Sequence, residues 1–265
     1  MFESPGAIIM TAGPFTLRWY GLMIAIGFLL ATYAAVQMSK KRGYDTDKII
    51  NAAMIGFIGG IIGARLYWVL LNLEGLGYNP LEMIAVWKGG LSIHGGIIGG
   101  VIAGLTYCKL VKLPVLECLD IGGAVIPLAQ CIGRWGNFFN QEAFGMPITD
   151  NAFPLKLYIQ PPFRPAQYQT VEFFHPTFLY ESFWNLLVFL LLYFVLAPRL
   201  KQFPGLTFAI YLGLYSVGRL IIEPMRLDSI MAGPTPVAVI ASWGGIIVSL
   251  IACLAILALK KKATP

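Results

Sequence analysis

The sequence carries little charge for its length. Its 265 residues include 13 acidic and 19 basic side chains, so 12% of the residues are charged, whereas about 25% is usual in a soluble domain. So few charges cannot cover the surface of an ordinary globule, and the composition argues against a soluble fold. Disorder is excluded as well, because 57% of the side chains are hydrophobic and disordered chains are poor in them.

The sequence also lacks the common motifs of metal binding and of nucleophilic hydrolysis. It has two histidines and four cysteines, and it contains neither a Cys-x-x-Cys pair nor a His-Glu-x-x-His helix, so no zinc site or redox centre is predicted. Gly-x-Ser-x-Gly and the phosphate-binding P-loop are absent too. We therefore expect no metal and no cofactor, and we interpret the cysteines as small buried hydrophobic residues.

Long apolar runs are what the chain has in abundance. A helix that crosses a bilayer needs about 20 apolar residues. Seven stretches meet or approach that length: residues 19–38, 49–71, 92–111, 119–134, 182–197, 205–223 and 237–259. The predicted fold class is therefore an all-α polytopic membrane protein with about seven transmembrane helices. Glycines spaced four apart in the second and third stretches predict that these two helices pack closely.

Basic residues are distributed unevenly along the predicted bundle. Eleven of the 19 follow the first, third, fifth and seventh spans in short segments: Lys40, Lys41, Arg42, Lys48, Lys109, Lys112, Arg199, Lys201, Lys260, Lys261 and Lys262. Short loops rich in lysine and arginine stay in the cytoplasm. We therefore predict that the N-terminus lies outside and the C-terminus inside. The positive net charge of +6 is interpreted as a topology signal, and no nucleic-acid partner is expected.

One long stretch, residues 135–181, has no run that could cross a membrane. It contains six prolines, which predicts a compact outer cap with little regular helix between the fourth and fifth spans. No repeat of 20–50 residues is present, so solenoids and obvious inverted-repeat transporters are disfavoured. The predicted organisation is a single integral membrane domain, residues 1–265, with the cap inserted in it.

The densest group of polar side chains lies at the start of that cap, in residues 133–145. Glycines and aromatic residues alternate there with polar ones: Arg134, Asn137, Asn140, Gln141 and Glu142. An arginine fork binds phosphate through two hydrogen bonds, and amides offer donors and acceptors to glycerol hydroxyl groups. The alternative is an aromatic belt at the membrane interface with a snorkelling arginine.

A second polar cluster lies at the end of the sixth span. Tyr215, Arg219 and Glu223 follow one another at intervals of four, on one face of a helix, and Pro224 ends that helix before Arg226. The cluster would place a second arginine at the outer face of the membrane. The alternative is an Arg219–Glu223 ion pair that only holds helices together.

The two histidines and one tyrosine complete the candidates. His94 begins the third span beside Gly95 and Gly96, where an imidazole could approach a ligand and transfer a proton near neutral pH. A hydrogen-bonded core histidine is the alternative there. An interface or capping role is favoured for His175 before the fifth span, and Tyr20 at the mouth of the first span alone indicates an aromatic belt. Arg65, buried late in the second span, is expected to pair with an outer-loop carboxylate or a lipid phosphate.

Taken together, these motifs resemble those of the bacterial prolipoprotein diacylglyceryl transferases, in the same order and over nearly the whole chain. The matching segments are residues 19–22, 63–66, 94–96, 133–145, 175–177, 179–181 and 218–226. The resemblance implies a multi-pass enzyme of the bacterial inner membrane, surrounded by membrane lipids. Such an enzyme moves the diacylglyceryl group of phosphatidylglycerol to the lipobox cysteine thiol in the signal peptide of a prolipoprotein. Glycerol phosphate is released in this first step of lipoprotein maturation.

The same resemblance implies roles for individual residues. Arg134 matches the arginine assigned to phosphatidylglycerol, and Arg219 matches a second essential arginine. The remaining functional positions that match are His94, Tyr20, Asn137, Glu142, Gly145, Glu223 and Arg226. We expect His94, Arg134, Arg219 and Tyr20 to be catalytic and the others, with Arg134, to bind substrate.

This chemistry agrees with what the residues indicate by themselves. The substrate brings the nucleophilic thiol, so the enzyme needs no reactive serine or cysteine, and two arginines can stabilise the charge on a phosphate leaving group. His94 is the candidate base for the thiol, although a structural role is also open. Two other classes remain: a lipid or solute transporter with an arginine-lined cavity, which explains the outer cap poorly, and a receptor or scaffold.

Overall fold

The computed structural model describes residues 1–13, 15–76, 79–150 and 153–263, and the side chains of Lys88, Lys262 and Ala263 fall outside that description. The side chain of Lys262, one of the predicted cytoplasmic bases, therefore lies outside the described part of the structure. The described chain is mostly helical. Its long helices are α1 Trp19–Arg42, α2 Thr46–Leu71, α4 Ile93–Leu110, α5 Val115–Asn140, α6 Thr177–Leu190, α8 Leu206–Ile222 and α9 Val237–Ala263, and the short ones are α3 Pro80–Ile84 and α7 Ala197–Arg199.

Seven helical segments of the described residues are long and apolar enough to cross a membrane, which confirms the predicted number. The α9 segment has the highest mean hydropathy, 2.4, and only 11% of it is buried within the protein. Such an apolar, unburied helix is suited to contact lipid. The chain is thus a multi-pass membrane protein.

Two of the predicted spans are shorter than the helices that the structure shows. The fourth, predicted as 119–134, is a 26-residue helix that continues to Asn140, because Pro127 does not end it and the charge of Arg134 is partnered (below). The fifth, predicted as 182–197, runs from Thr177 to Arg199. A π-helical stretch, Leu191–Leu196, joins its two parts just before Pro198, which has no N–H to donate to the preceding turn.

The packing of Cα atoms divides the chain into two compact units. One comprises Met1–Ala34 with Leu119–Pro265, and the other comprises Ala35–Cys118. The smaller unit is built on α2 and α4, which touch at glycines as predicted. A Cβ atom on Gly63 would lie 2.4 Å from the carbonyl oxygen of Gly95, and one on Gly99 would lie 2.4 Å from that of Gly59. The backbones therefore touch where any side chain would keep them apart.

In the larger unit, α5, α6 and α8 are held together by polar contacts. Asp120, which is 1% exposed, accepts hydrogen bonds from the backbone N–H groups of Gly205 and Phe208, at 2.8 and 2.9 Å. Halfway along, Gln130 donates to the hydroxyl of Tyr211 at 3.0 Å. Trp184 joins α6 to α8 through the carbonyl of Leu214. These bonds fix where each helix lies along its neighbours.

The segment between α5 and α6 contains little helix, but it is shorter than the predicted 135–181 because α5 extends to Asn140 and α6 begins at Thr177. Its strands β4 Leu157–Tyr158 and β5 Phe173–Phe174 pair with β1 Phe2–Glu3 in the order β1-β4-β5. Aromatic and aliphatic side chains form a core beneath them: Phe138, Phe144, Leu157, Ile159, Phe174 and Phe178. Two further hairpins pair β2 Ile8–Ala12 with β3 Phe15–Arg18, and β6 Met231–Ala232 with β7 Thr235–Pro236.

Candidate active site

Three arginines, one in α5 and two in or just after α8, converge on one carboxylate, that of Glu181 in α6. Nε of Arg134 lies 2.6 Å from Oε2, and Nη1 of Arg219 lies 3.0 Å from Oε1. Nη1 of Arg226 lies 3.3 Å from the same Oε1. Glu181 is 4% exposed, so its charge is taken out of water and needs these partners. The two polar clusters of the sequence are therefore one site.

The contact of Arg134 with Glu181 differs from the other two. Its Nε–H is not aligned with the Oε2 atom, which accepts no hydrogen bond, so the contact is an ion pair without hydrogen-bond geometry. The side chain of Arg134 is 20% exposed, against 13% for Arg219 and for Arg226. Arg134 thus has the most exposed side chain of the three arginines.

A second carboxylate, Glu223, supports the cluster from the end of α8. It forms the Arg219–Glu223 ion pair that the sequence left open as an alternative, and it accepts a hydrogen bond from the hydroxyl of Ser229 at 2.8 Å. The predicted end of the helix before Pro224 is confirmed, because Ile222 is the last residue of α8. A turn of 3₁₀-helix, Glu223–Met225, then carries the chain to Arg226.

Arg226 lies outside the membrane helices and is bound on two sides. Asp228 accepts hydrogen bonds from its Nε at 3.0 Å and its Nη2 at 3.1 Å. Burial by itself would lower the pKa of Arg226, but Asp228, Glu181 and Glu223 outweigh it and raise the pKa above its usual value. The guanidinium therefore stays charged. Three guanidinium groups are thus balanced by three carboxylates.

Two amides and a carboxylate lie together at the C-terminal end of α5. Oε1 of Glu142 accepts hydrogen bonds from Asn137 at 2.9 Å and from Asn140 at 3.3 Å. Glu142 is exposed, and Asn137 lies one helical turn beyond Arg134. Asn137 and Arg134 therefore share a face of α5, and the polar group continues from the arginine cluster toward the surface.

Gly145 brings the segment after α5 against the arginine cluster. Its N–H donates to the carbonyl of His175 at 2.9 Å, and it forms an isolated β-bridge with Arg226. A Cβ atom at this position would lie 2.9 Å from side-chain carbons of His175 and Thr177. Only glycine fits without displacing its neighbours, so Gly145 permits the close approach to Arg226.

Tyr20, at the start of α1, packs against the same helix. A Cβ atom on Gly136 would lie 2.6 Å from Cδ2 of the Tyr20 ring, so the ring rests on the α5 backbone two residues after Arg134. The side chain remains 37% exposed. The ring therefore contacts the helix that carries Arg134, and the role of Tyr20 in the site stays a prediction.

His94 lies in the smaller unit, in the first turn of α4, and its place relative to the arginine cluster remains a prediction. Its side chain is exposed, which contradicts the alternative of a histidine buried in the core, and its ring centroid lies 6.2 Å from that of Tyr67. No carboxylate partner of Arg65 is found among the described residues; its guanidinium binds backbone carbonyls of residues 82–90 instead. The alternative of a lipid phosphate stays a prediction.

His175 is half-buried at the start of α6, which agrees with a structural role. Its Nδ1 lies 3.1 Å from the hydroxyl of Tyr180, and burial lowers the pKa of the imidazole below its usual value. The neutral ring therefore dominates in the folded protein near neutral pH. Its backbone is the part that contacts the candidate site, through the hydrogen bond from Gly145.

Sequence reasoning missed Glu181 as a functional residue. It was noted only as part of a matching segment, since a single carboxylate near the start of an apolar run has no signature of its own. Its position at the centre of three arginines, 38 residues from Arg219 and 45 from Arg226 along the chain, could not be deduced from spacing. A cleft beside it, between α6 and α8, is lined by Trp184 and Tyr215.

Comparison with known proteins identifies the family of the chain. The family model described as prolipoprotein diacylglyceryl transferase matches residues 7–256. A phosphatidylglycerol–prolipoprotein diacylglyceryl transferase of Trichormus variabilis is 43% identical over 100% of this chain and 94% of its own length. A protein of the same name from Thermotoga maritima is 44% identical over 85% of this chain and 76% of its own. The chain therefore belongs to the prolipoprotein diacylglyceryl transferase family.

Proposed function

We propose that the arginine cluster binds the phosphate of phosphatidylglycerol while the lipobox cysteine of a prolipoprotein attacks the lipid. The chain is a transferase of the bacterial inner membrane that moves a diacylglyceryl group from phosphatidylglycerol to prolipoproteins. This activity replaces the alternatives of a transporter and of a scaffold. The observation that carries the proposal is the convergence of three guanidinium groups on Glu181.

The charge that develops in the reaction explains why such a cluster is needed. The thiol loses its proton, and the sulfur attacks the diacylglyceryl carbon that bears the phosphate ester. A C–S bond forms as the C–O bond breaks, and glycerol phosphate leaves with the bonding electrons. The phosphate changes from a diester with one negative charge to a monoester that gains a second. Guanidinium groups fixed beside it stabilise that added charge more in the transition state than in the bound lipid.

Of the two arginines that match essential positions, Arg134 has more N–H groups that can still bind a ligand. Among the described residues it contacts Glu181 through Nε, which leaves its two terminal NH₂ groups to bind phosphate oxygens as a fork. Arg219 is already engaged by Glu181 and Glu223. We therefore assign the direct phosphate contact to Arg134, and we assign Arg219 and Arg226 to the positive field around the leaving group.

The polar residues at the end of α5 suit the head group. Asn137 and Glu142 offer an amide and a carboxylate toward the surface, which can bind the hydroxyls of the glycerol. Gly145 places the cap segment against Arg226, and Glu223 holds Arg219 in position. Tyr20 is assigned to the site because it matches a functional position of the family, and its ring contacts α5, the helix that carries Arg134.

His94 is proposed as the base that accepts the thiol proton. An imidazole has an unperturbed pKa near 6.5, so it can accept a proton at neutral pH, whereas a thiol near 8.5 holds its own. The side chain of His94 is exposed within its unit, as a proton acceptor for an incoming peptide must be. Positive charge on the arginines would favour the thiolate in the same direction.

The membrane orientation follows from the basic residues. We assign the N-terminus and residues 135–181 to the outer side, and the C-terminus to the cytoplasm. Supporting this, Lys40, Lys41 and Arg42 form the last turn of α1, and Lys109 lies in the last turn of α4. The site would then face the compartment in which secreted prolipoproteins emerge.

The test uses purified full-length protein, phosphatidylglycerol labelled in its head-group glycerol, and a synthetic lipobox peptide. We expect labelled glycerol phosphate in the water phase and an equal amount of peptide that has gained a diacylglyceryl mass. The same peptide with serine in place of cysteine should give neither product. Release of label without modified peptide would contradict the proposal, and so would inhibition by EDTA that added metal restores.

A further inference from the structure

Arg65 in α2 is a buried cation that the chemistry described above does not use. It is 6% exposed and lies six residues before the end of a membrane helix, where an unpartnered charge is costly. Its Nε donates to the carbonyl of Met83, and Nη1 donates to that of Gly90, both at 3.0 Å. It also donates to the carbonyls of Glu82 and Gly89. Four backbone carbonyls thus replace its water.

The segment that Arg65 holds leads directly to His94. Gly89 and Gly90 both have positive φ angles, 87° and 68°, a conformation that turns their carbonyls toward the guanidinium and that other residues rarely adopt. A Cβ atom on Gly90 would lie 2.7 Å from Nη1 of Arg65. The N–H of Ser92 then bonds to the carbonyl of Ala64 at 3.0 Å. The entry into α4 is therefore tied to α2 at two consecutive residues.

The residue after His94 is fixed against the same part of α2. A Cβ atom on Gly95 would lie 2.2 Å from the carbonyl oxygen of Gly63 and 2.4 Å from Cβ of Tyr67. His94 thus lies between two anchors, the turn held by Arg65 and the backbone contact at Gly95. The guanidinium itself is held over the Trp68 ring, 4.7 Å from its centroid, which fixes the direction of its donors.

We propose that Arg65 is a positioning residue for His94: by binding the carbonyls of residues 82–90 it sets the first turn of α4 and the direction of the imidazole. This inference rests on the role proposed for His94 in the transfer reaction. A planar guanidinium with five N–H donors can serve four carbonyls at once, whereas an ammonium carries three donors and no fork. Lysine should therefore keep the charge and lose the geometry.

The test is a double-mutant cycle with Arg65→Lys and His94→Gln in the transfer assay. A displacement of about 1 Å at a reacting group can cost up to about 10²-fold in rate, so we expect Arg65→Lys to lower kcat by about 10- to 100-fold, with the KM for phosphatidylglycerol little changed. In the His94→Gln protein the same change should cost less than about twofold. Losses that multiply would overturn the inference.

A matched control is available in the same unit. Arg42 forms a 2.9 Å ion pair with Glu117, which follows the C-terminal end of α4, whereas His94 lies in the first turn of that helix. Arg42→Lys should therefore leave kcat within about twofold. If His94→Gln turns over at the normal rate, the proposed role of His94 fails. If His94→Gln is impaired while Arg65→Lys is not, the inference on Arg65 alone fails.

Where the variants transfer too slowly for their rates to be measured, the effect of Arg65→Lys on His94 can be tested without turnover. The chain has two histidines, so protein labelled in its histidine rings gives one set of ring signals for each of them by nuclear magnetic resonance. Arg65→Lys should shift or broaden the signal of His94 and leave that of His175 unchanged, and Arg42→Lys should change neither. An unchanged His94 signal in Arg65→Lys would overturn the inference, and so would equal changes at both rings, which indicate general loosening.

Discussion

At the scale of single residues, three guanidinium groups contact one buried carboxylate, that of Glu181. Replacing one of these arginines therefore removes a positive charge from a fixed position in the cluster. We predict that Arg134→Ala and Arg219→Ala each abolish transfer while the protein stays folded in the membrane. A charged hydrogen bond contributes about 1.5–3 kcal/mol, and contacts to developing charge contribute more. Arg134→Lys should fail as well, because lysine lacks the fork. Labelled glycerol phosphate release measures all three.

The control for this prediction is an arginine of the cap outside the cluster. Arg164 donates to the carbonyls of Ile159 and Gln169, and Arg164→Lys should retain turnover within about twofold. Near-normal turnover in Arg134→Lys would remove the argument from fork geometry and leave only the positive charge.

His94 gives a prediction that depends on pH. If it accepts the thiol proton, His94→Gln should lower the rate by about 10²- to 10⁴-fold near neutral pH. The deficit should shrink as the pH rises toward the thiol pKa near 8.5, because more of the peptide is then already thiolate. A peptide with a more acidic thiol should restore part of the rate. A deficit that is flat with pH, in a protein that melts at lower temperature, would show that His94 only braces α4.

At the scale of helices, Asp120 joins α5 and α8, the two helices that carry Arg134 and Arg219. It lies 14 residues before Arg134 on α5, and it caps α8 13 residues before Arg219, so both arginines lie about 20 Å along their helices from this junction. Gly123 allows the close approach, since a Cβ atom there would lie 2.9 Å from Cα of Phe208. The junction therefore aligns the two helices at the level where Glu181 receives both charges.

We predict that Asp120→Ala lowers stability and turnover together. Two backbone donors at a buried helix end lose a charged acceptor, and each such bond contributes about 1.5–3 kcal/mol. Asp120→Asn keeps one acceptor oxygen and should lose less. The exposed Asp45, which accepts from the N–H groups of Asp47 and Lys48 at the start of α2, is the control, and its replacement by alanine should cost about 1 kcal/mol. Thermal unfolding in detergent measures the loss of stability in each variant, and the loss should be largest for Asp120→Ala. Equal losses for the alanine variants of Asp45 and Asp120 would contradict the prediction.

The helices also show what the sequence could predict. Apolar runs predicted the number of spans, because a bilayer demands a minimum length whatever the neighbours are. The same runs predicted the wrong C-terminal end for α5 and the wrong first residue for α6. At both places polar residues continue the helix because other elements supply their partners. Glu181 and the carbonyls that bind Arg65 were missed for the same reason. Their roles arise from residues brought together by the fold, and no local pattern records them.

At the scale of the whole molecule, orientation determines which compartment the site faces, and the basic residues predict it. In a background without the four native cysteines, Gln167→Cys in the cap should react with a membrane-impermeant thiol reagent added outside intact cells. Lys261→Cys, at the end of α9, should react only after the membrane is opened. Both side chains are exposed in the structure, so burial would not hide either cysteine. Labelling in the reverse sense would place the arginine cluster on the cytoplasmic side, where a secreted prolipoprotein has not yet crossed the membrane.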